Sequence, residues 1–407
     1  MGTILLLCAI VSSSQAVASG YLRDLPAGYD NLSWAWVSYD TPAVAVIPGS
    51  FNRTIFQPLP DTNASNGDIS EAFMSLNRTD FVAYDERFFD ILGPKVKIEH
   101  VQTLPYQVHE ASCYNPATGD LFFVEWGPPG GDNGTHKWQY LLNTRNNTLK
   151  KIYTDPPTYN VHGCVFHNNS YFVVTDGHSN ETGKLVRVDP ETWKAETILN
   201  NVYGQPFMAL NDLDIDREGN FWLTDSKSGF GRGLVPFFYP TNPTVYFVNG
   251  TTMRPRAVYK TTGNANGIAV DRATSGNGDT VYMGDTGVSQ AWPVSRLDPF
   301  EDRALRAFST APATEGLLTN ERFLTEPMSY YYDGIRASKN GYIFGCAREQ
   351  RVDVIDPRSG LILGTIRVGG GQNGAVNVAF GTHEMWIVGR GGVWHVYGIK
   401  EELARDW

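Results

Sequence analysis

Six polar residues stand at corresponding places along the chain, each a short link ahead of an apolar tetrad. They are Glu110 before LFFV, His162 before YFVV, Asn211 before FWLT, Asn266 before VYMG, Asp333 before YIFG and Asn377 before MWIV. Carboxylates and side-chain amides are the oxygen donors a hard cation takes, and Ca²⁺ gathers about six to eight of them. Glu110 and Asp333 would neutralise a divalent ion, the amides would complete part of its shell, and water or substrate would fill the rest. His162 fits less well, because imidazole suits Zn²⁺ and other transition metals. A carboxylate between His109 and the apolar stretch ASCY is expected to be buried, and a buried charge needs a partner or a metal. Taken singly, Asn266-Gly267 and Asp333-Gly334 read more readily as plain turns than as ligands, and only the joint pattern raises them.

For that chemistry to occur, residues scattered along most of the chain must converge. A spacing of roughly 40 to 65 residues is the length of one four-stranded propeller blade. In a propeller the inner strands run along the central axis, so a residue at the start of each projects into one mouth of the channel. The expected fold is therefore all-β, a six-bladed β-propeller with an irregular N-terminal arm.

The expected organisation is a signal peptide over 1–18, an arm wrapping the propeller over 19–95, and the propeller over 96–407. Ile4 to Val11 is too short to span a bilayer, and Ala16-Val17-Ala18 has the small-x-small form cleaved by signal peptidase. In the arm, FVAYDERFFDILGP places Phe81, Tyr84, Phe88 and Phe89 at helical spacing. The stretch KIEHVQTL alternates like a strand and is suited to close the ring against the last blade. Blade boundaries are expected in the turn-rich links GPPGGDNG, DGHSNETG, GFGRGLVP, DRATSGNGD and VGGGQNG, while KLVRVDP and RVDVIDP read as third strands.

Of 407 residues, 42% are hydrophobic, enough for a large core, and the net charge of −10 comes without a cluster of Lys or Arg. Nucleic acid is therefore not an expected partner, nor is a membrane. Sequons stand at Asn31, Asn52, Asn63, Asn77, Asn133, Asn146, Asn168, Asn180 and Asn249. Chance would give roughly three or four, so the excess points to a secreted, extracellular glycoprotein, in which glycans disfavour assembly beyond a monomer or weak dimer. The mature chain keeps Cys113, Cys164 and Cys346. Either Cys113 and Cys164 form a disulfide or all three are buried thiols; nothing suggests a catalytic one.

Five stretches together resemble the SMP-30/gluconolactonase/LRE-like family, and within it the secreted fungal lactonohydrolases. They are FVAYDERFFDILG, VHEASCYNPATGDLFFVEW, LNNVYGQPFMALNDLDIDREGNFWLTD, NGIAV with VYMGDTG, and DGIRASKNGYIFGCA. The resemblance implies a six-bladed propeller whose divalent metal is held by Glu110, Asn211, Asn266 and Asp333. Ca²⁺ is the expected ion, with Mg²⁺, Mn²⁺ or Zn²⁺ as alternatives. It also implies lactone hydrolysis, with Asp333 both ligand and acid/base. A carboxylate on a dication is a weakened base, which favours an orienting role for Asp333 and leaves His109 and His162 as other bases. His162 and Asn377 become substrate-facing, and Trp126, Phe207, Phe230 and Tyr332 are candidate pocket aromatics. Two departures stand out: His162 replaces the Asn of an NGG phrase, and Tyr330-Tyr331-Tyr332 precedes Asp333 where Pro-Asp-Gly is common.

The leading expectation is a secreted metal-dependent lactonase acting on an aldonolactone or a fungal metabolite lactone. The alternatives are a non-catalytic Ca²⁺-stabilised propeller binding a glycan or protein, and a metal-dependent isomerase or cyclase.

Overall fold

The computed structural model describes residues 21–29, 33–39, 42–46, 67–76, 78–107, 110–125, 138–178, 180–231, 244–272, 279–290, 296–297, 301–311, 315–328, 331–347, 350–371 and 373–406. Strands dominate, and they form the six blades of a β-propeller. Blades 1 to 5 each begin with an inner strand, in turn Cys113–Asn115, Val161–His167, Leu210–Ile215, Ala265–Arg272 and Ile335–Ala337. Three further antiparallel strands follow outward in each. Blade 6 has three strands: Asn377–Phe380, Glu384–Tyr397 and, from the other end of the chain, Lys97–Gln107. The stretch KIEHVQTL thus closes the ring, with Trp394 opposite His100.

The apolar tetrads are the second strands, and their lack of polar alternation has a physical cause. Successive strand residues point to opposite faces, and each blade is sandwiched between two others. In Asp120–Glu125, Phe122 and Val124 pack toward blade 2, while Leu121 and Phe123 pack toward blade 6. Both faces are dry, so all four residues are apolar. Six such inter-blade clusters make up the propeller core.

Two sequence expectations need correction. Four of the five turn-rich links lie within blades. GPPGGDNG, DGHSNETG and GFGRGLVP join second to third strands, DRATSGNGD joins a first strand to a second, and only VGGGQNG separates blades. Gly, Asn and Pro serve reversals inside a blade as readily as links between blades, so their clusters could not tell the two apart. In FVAYDERFFDILGP, Phe81–Ala83 is a strand, and only Arg87–Leu92 is helical. Phe81 pairs with Ile366 at the outer edge of blade 5, and Trp34–Trp36 pairs onto Phe81–Ala83 in turn. Sheet pairing at a free edge outweighs the local helical spacing. Blade 5 consequently has six strands, and the arm's Tyr29, Trp34, Phe88 and Phe89 join the core shared with blade 6.

Cys113 and Cys164 are disulfide-bonded, which links the inner strands of blades 1 and 2, and Cys346 is a buried free thiol. Among the described residues no helix is long and apolar enough to cross a membrane.

Candidate metal centre at one mouth of the channel

Each ring residue sits at or just before the start of an inner strand, and all six are buried. Hydrogen bonds join four of them in two pairs, and the pairs lie side by side. Asn377 donates from Nδ2 to Glu110 Oε2 at 3.1 Å, and Glu110 Oε1 lies 3.6 Å from His162 Nε2. His162 Nε2 lies 3.1 Å from Asn211 Nδ2. Backbone packing brings in the other two. The carbonyl oxygen of Asp333 lies against Gly267, the residue after Asn266, and the Asn377 side chain lies against Gly334, the residue after Asp333.

That packing explains the glycines. A Cβ at Gly267 would stand 2.4 Å from the Asp333 carbonyl oxygen, and one at Gly334 2.5 Å from Asn377 Cγ. Asn266-Gly267 and Asp333-Gly334 are therefore points of blade-to-blade contact rather than the turns they also resembled. Blade 1 has no glycine at this place. Ala111, directly after Glu110, instead adopts a φ of 61°, which costs about 1 to 2 kcal/mol for an L-residue with a side chain. The first blade thus spends conformational energy to aim Glu110.

The hydrogen-bond pattern settles which way the side chains face. His162 Nδ1 is 2.8 Å from both carboxylate oxygens of Asp176. A carboxylate only accepts, so Nδ1 carries the proton and Nε2 is the acceptor. Nε2 then takes a hydrogen from Asn211 Nδ2, which turns Asn211 Oδ1 away from the histidine. Asn211 Oδ1 and Asn266 Oδ1 are both buried and have no hydrogen-bond partner. Two orphaned amide oxygens beside the Glu110 carboxylate are unusual in a protein interior. They are the pattern a cation would satisfy.

Asn377 differs, since its Oδ1 accepts the backbone N–H of Val378 at 2.8 Å while its amide holds Glu110. Asn377 orients a neighbour and has no oxygen to spare. Tyr332 is buried among blade 4 and 5 side chains, and its hydroxyl donates to Asp353 at 3.0 Å. Phe207 packs edge-on against Tyr246 in the core between blades 2 and 3. Phe230 lies in the short helix Ser228–Gly231 after the second strand of blade 3. His109, Trp126 and Tyr330 lie outside the described residues, as do Asn31, Asn52, Asn63, Asn77 and Asn133. Asn146, Asn168 and Asn180 are exposed and Asn249 is half-buried.

Asp176 is the functional residue that sequence reading passed over. Its signal was present, because an acidic residue also closes the tetrads in VVTD, WLTD and VYMGD. In blades 3 and 4 these residues brace the approach to the ring: Asp225 accepts from Ala209 N at 2.8 Å, and Asp285 from Asn264 N at 2.8 Å. In blade 2 the same position grips a ring side chain instead. Ser228 also donates to Asp176, at 2.8 Å. Burial, and then the carboxylates of Asp333 and Glu110, push the Cys346 thiol well above its ordinary value. It is a neutral packing group beside the ring and no nucleophile.

Residues 110–388 match the model of the SMP-30/gluconolactonase/LRE-like region. The chain belongs to this family. It is 28% identical to lactonohydrolase oryL of Aspergillus oryzae over 385 residues, covering 88% of this chain and 85% of that protein. Among solved structures, its fold is similar to a gluconolactonase from Xanthomonas campestris, with 16% identity and a TM-score of 0.61, over 78% of this chain and 94% of the other. It is also similar to the calcium-binding protein regucalcin from Agrobacterium tumefaciens, with 14% identity and a TM-score of 0.51, over 75% of this chain and 94% of the other. Among the described residues no three His, Cys, Asp or Glu side chains assemble as a metal site. The family member's candidate set is instead half amide.

Proposed function

We propose that this protein is a secreted, metal-dependent hydrolase of small lactones, acting at the channel mouth that carries Glu110, Asn211, Asn266 and Asp333. The observation that carries the proposal is the pair of buried, partnerless amide oxygens on Asn211 and Asn266, in a chain of a family whose relatives include a lactonohydrolase and a gluconolactonase. The donor set fits a hard divalent cation: two amide oxygens and two carboxylates, all neutral or negative and all oxygen. Ca²⁺ is the ion we assign. When bound, it supplies fixed positive charge that draws electron density from a carbonyl oxygen.

The chain's own residues do the rest. Glu110 and Asp333 balance the charge, and the inner strands hold all four donors with little freedom to relax. His162, locked by Asp176, sets the direction of Asn211, and Asn377 does the same for Glu110. Asp333 orients the attacking water at its carboxylate. Secretion is supported by the Cys113–Cys164 bond and by exposed sequon asparagines at Asn146, Asn168 and Asn180.

The test is lactone opening followed by pH-stat on aldono-, aryl- and aliphatic lactones, with and without chelator, for wild type and Asp333→Ala. We expect chelation to abolish opening and Asp333→Ala to lose it with little change in melting temperature. Folded, metal-loaded wild type that opens no lactone in the panel would end the proposal. Activity that survives chelation would remove the metal from it.

A further inference from the structure

A second site, lined by none of the ring residues, lies between the N-terminal arm and the outer strands of blade 5. There a cavity of about 380 Å³ is walled by Tyr21, Val37, Leu76 and Val82 of the arm and by Ile362 of the blade. This volume falls in the range of small-molecule pockets. One group in the wall is out of keeping with it. Arg351, at the start of the third strand of blade 5, lines the cavity and is only 4% exposed. Its Nε and Nη2 are buried without any hydrogen-bond partner, and it forms no ion pair among the described residues.

Its neighbours intensify the imbalance. Arg351 stands directly opposite Arg367 in the antiparallel register, so the two side chains share one face of the sheet. Arg367 also lines the cavity, and its Nη1 donates to the Leu76 carbonyl. The buried carboxylate two residues along the strand, Asp353, is drawn to the Arg351 charge through space but makes no hydrogen bond to it, its oxygens accepting from the Tyr332 hydroxyl at 3.0 Å and from Thr365 Oγ1 at 2.6 Å. Two buried guanidinium groups side by side, one with open donors, call for an anion, and the bidentate fork of Arg suits a carboxylate. The remaining wall is mainly apolar, with the hydroxyl-bearing side chains of Tyr84 and Thr365 among it.

We infer that this cavity binds a small apolar monocarboxylate, with its carboxylate on Arg351 and its hydrocarbon part along the arm's apolar wall. The site is separate from the channel and does not rest on the lactonase reading. The test is isothermal titration calorimetry on the full, glycosylated chain. Decanoate is the probe, decanol is the neutral tail control and acetate the head-group control. We expect decanoate to bind one to one, and decanol and acetate at least tenfold more weakly. Arg351→Gln should weaken decanoate at least tenfold. Leu361 lines the same cavity and is half-exposed, so Leu361→Asp can be made without disturbing the core, and it should weaken decanoate at least threefold. No decanoate binding to folded wild type, equal affinity for decanoate and decanol, or unchanged affinity in Leu361→Asp would each overturn the inference. If Arg351→Gln folds and binds decanoate as tightly as wild type, that too would overturn it.

Discussion

Two neighbouring levels of the central channel are built from the same strands and reach opposite states of hydrogen bonding. At the ring mouth Asn211 and Asn266 leave buried oxygens without partners. One residue further along the same inner strand, Asp212 has every oxygen engaged. Arg336 crosses from blade 5 to bind it bidentately, at 2.8 and 3.1 Å, and the backbone N–H groups of Leu213 and Ile268 add bonds of 2.9 and 3.2 Å. The Arg336 guanidinium also meets carbonyls of Ile335, Ile268 and Cys164, so it braces blades 2 to 5 about the axis. Beyond it, Arg405 of the charged C-terminal tail forks onto Asp214. A saturated buried charge acts as a structural brace, whereas buried acceptors without donors call for a partner. The contrast separates residues of similar chemistry on one strand.

If the contrast is right, the same kind of truncation should mainly hurt stability at one level and activity at the other. Arg336→Ala leaves the Asp212 carboxylate buried without its counter-charge and should cost about 3 to 5 kcal/mol of stability, read as a fall in the denaturation midpoint. Asn211→Ala should lower kcat/KM for lactone opening about a hundredfold, equivalent to about 2.7 kcal/mol, while stability falls by about 1 to 3 kcal/mol because His162 Nε2 loses its donor, less than for Arg336→Ala. A stability loss in Asn211→Ala as large as in Arg336→Ala would make the ring another brace and erase the distinction.

The ring was legible in the sequence because each of its members precedes a tetrad that is apolar on both faces, a pattern only a strand between two blades requires. The brace was not. Asp212 and Arg336 are 124 residues apart and meet across the axis, where pairing depends on which strands face each other rather than on local spacing. In the sequence, Asp212, Asp214 and Asp216 look like an acidic run, LNDLDID, with no sign that the first two bind arginines. Blade boundaries failed for a related reason, since turn residues report a reversal without saying what it joins. Nor could spacing show that Gly267 and Gly334 admit a neighbouring blade.

On the ring side lies Asp176, which is saturated yet acts on the ring through His162. Asp176→Asn keeps an acceptor for Nδ1–H but removes the charge and can present an N–H instead, which lets the imidazole turn and Asn211 with it. Lactone opening should fall about tenfold, close to 1.4 kcal/mol, and Asp176→Ala further. The readout that separates positioning from folding is metal affinity by titration, which should weaken in Asp176→Asn while the melting temperature holds. An unchanged metal affinity would detach Asp176 from the ring.

The finest comparison tests whether burial, and not pairing alone, makes the brace. Arg405 and Arg336 make nearly the same contacts, each a bidentate carboxylate bond to an aspartate that also accepts two backbone N–H groups, from Ile215 and Val270 at Asp214. They differ in surroundings. Both arginines line a cavity of about 660 Å³ at the far mouth, but Arg336 belongs to an inner strand and reaches carbonyls of three blades. Arg405 comes from the C-terminal tail and Asp214 itself borders the cavity, so water can reach the Asp214 carboxylate once the guanidinium is removed. Arg405→Ala should therefore cost less than Arg336→Ala, about 1 to 3 kcal/mol, the range for leaving a buried acceptor short of a partner. If it costs as much as Arg336→Ala, the tail is a structural plug in its own right. Solvent access would then no longer explain why one guanidinium brace matters more than the other.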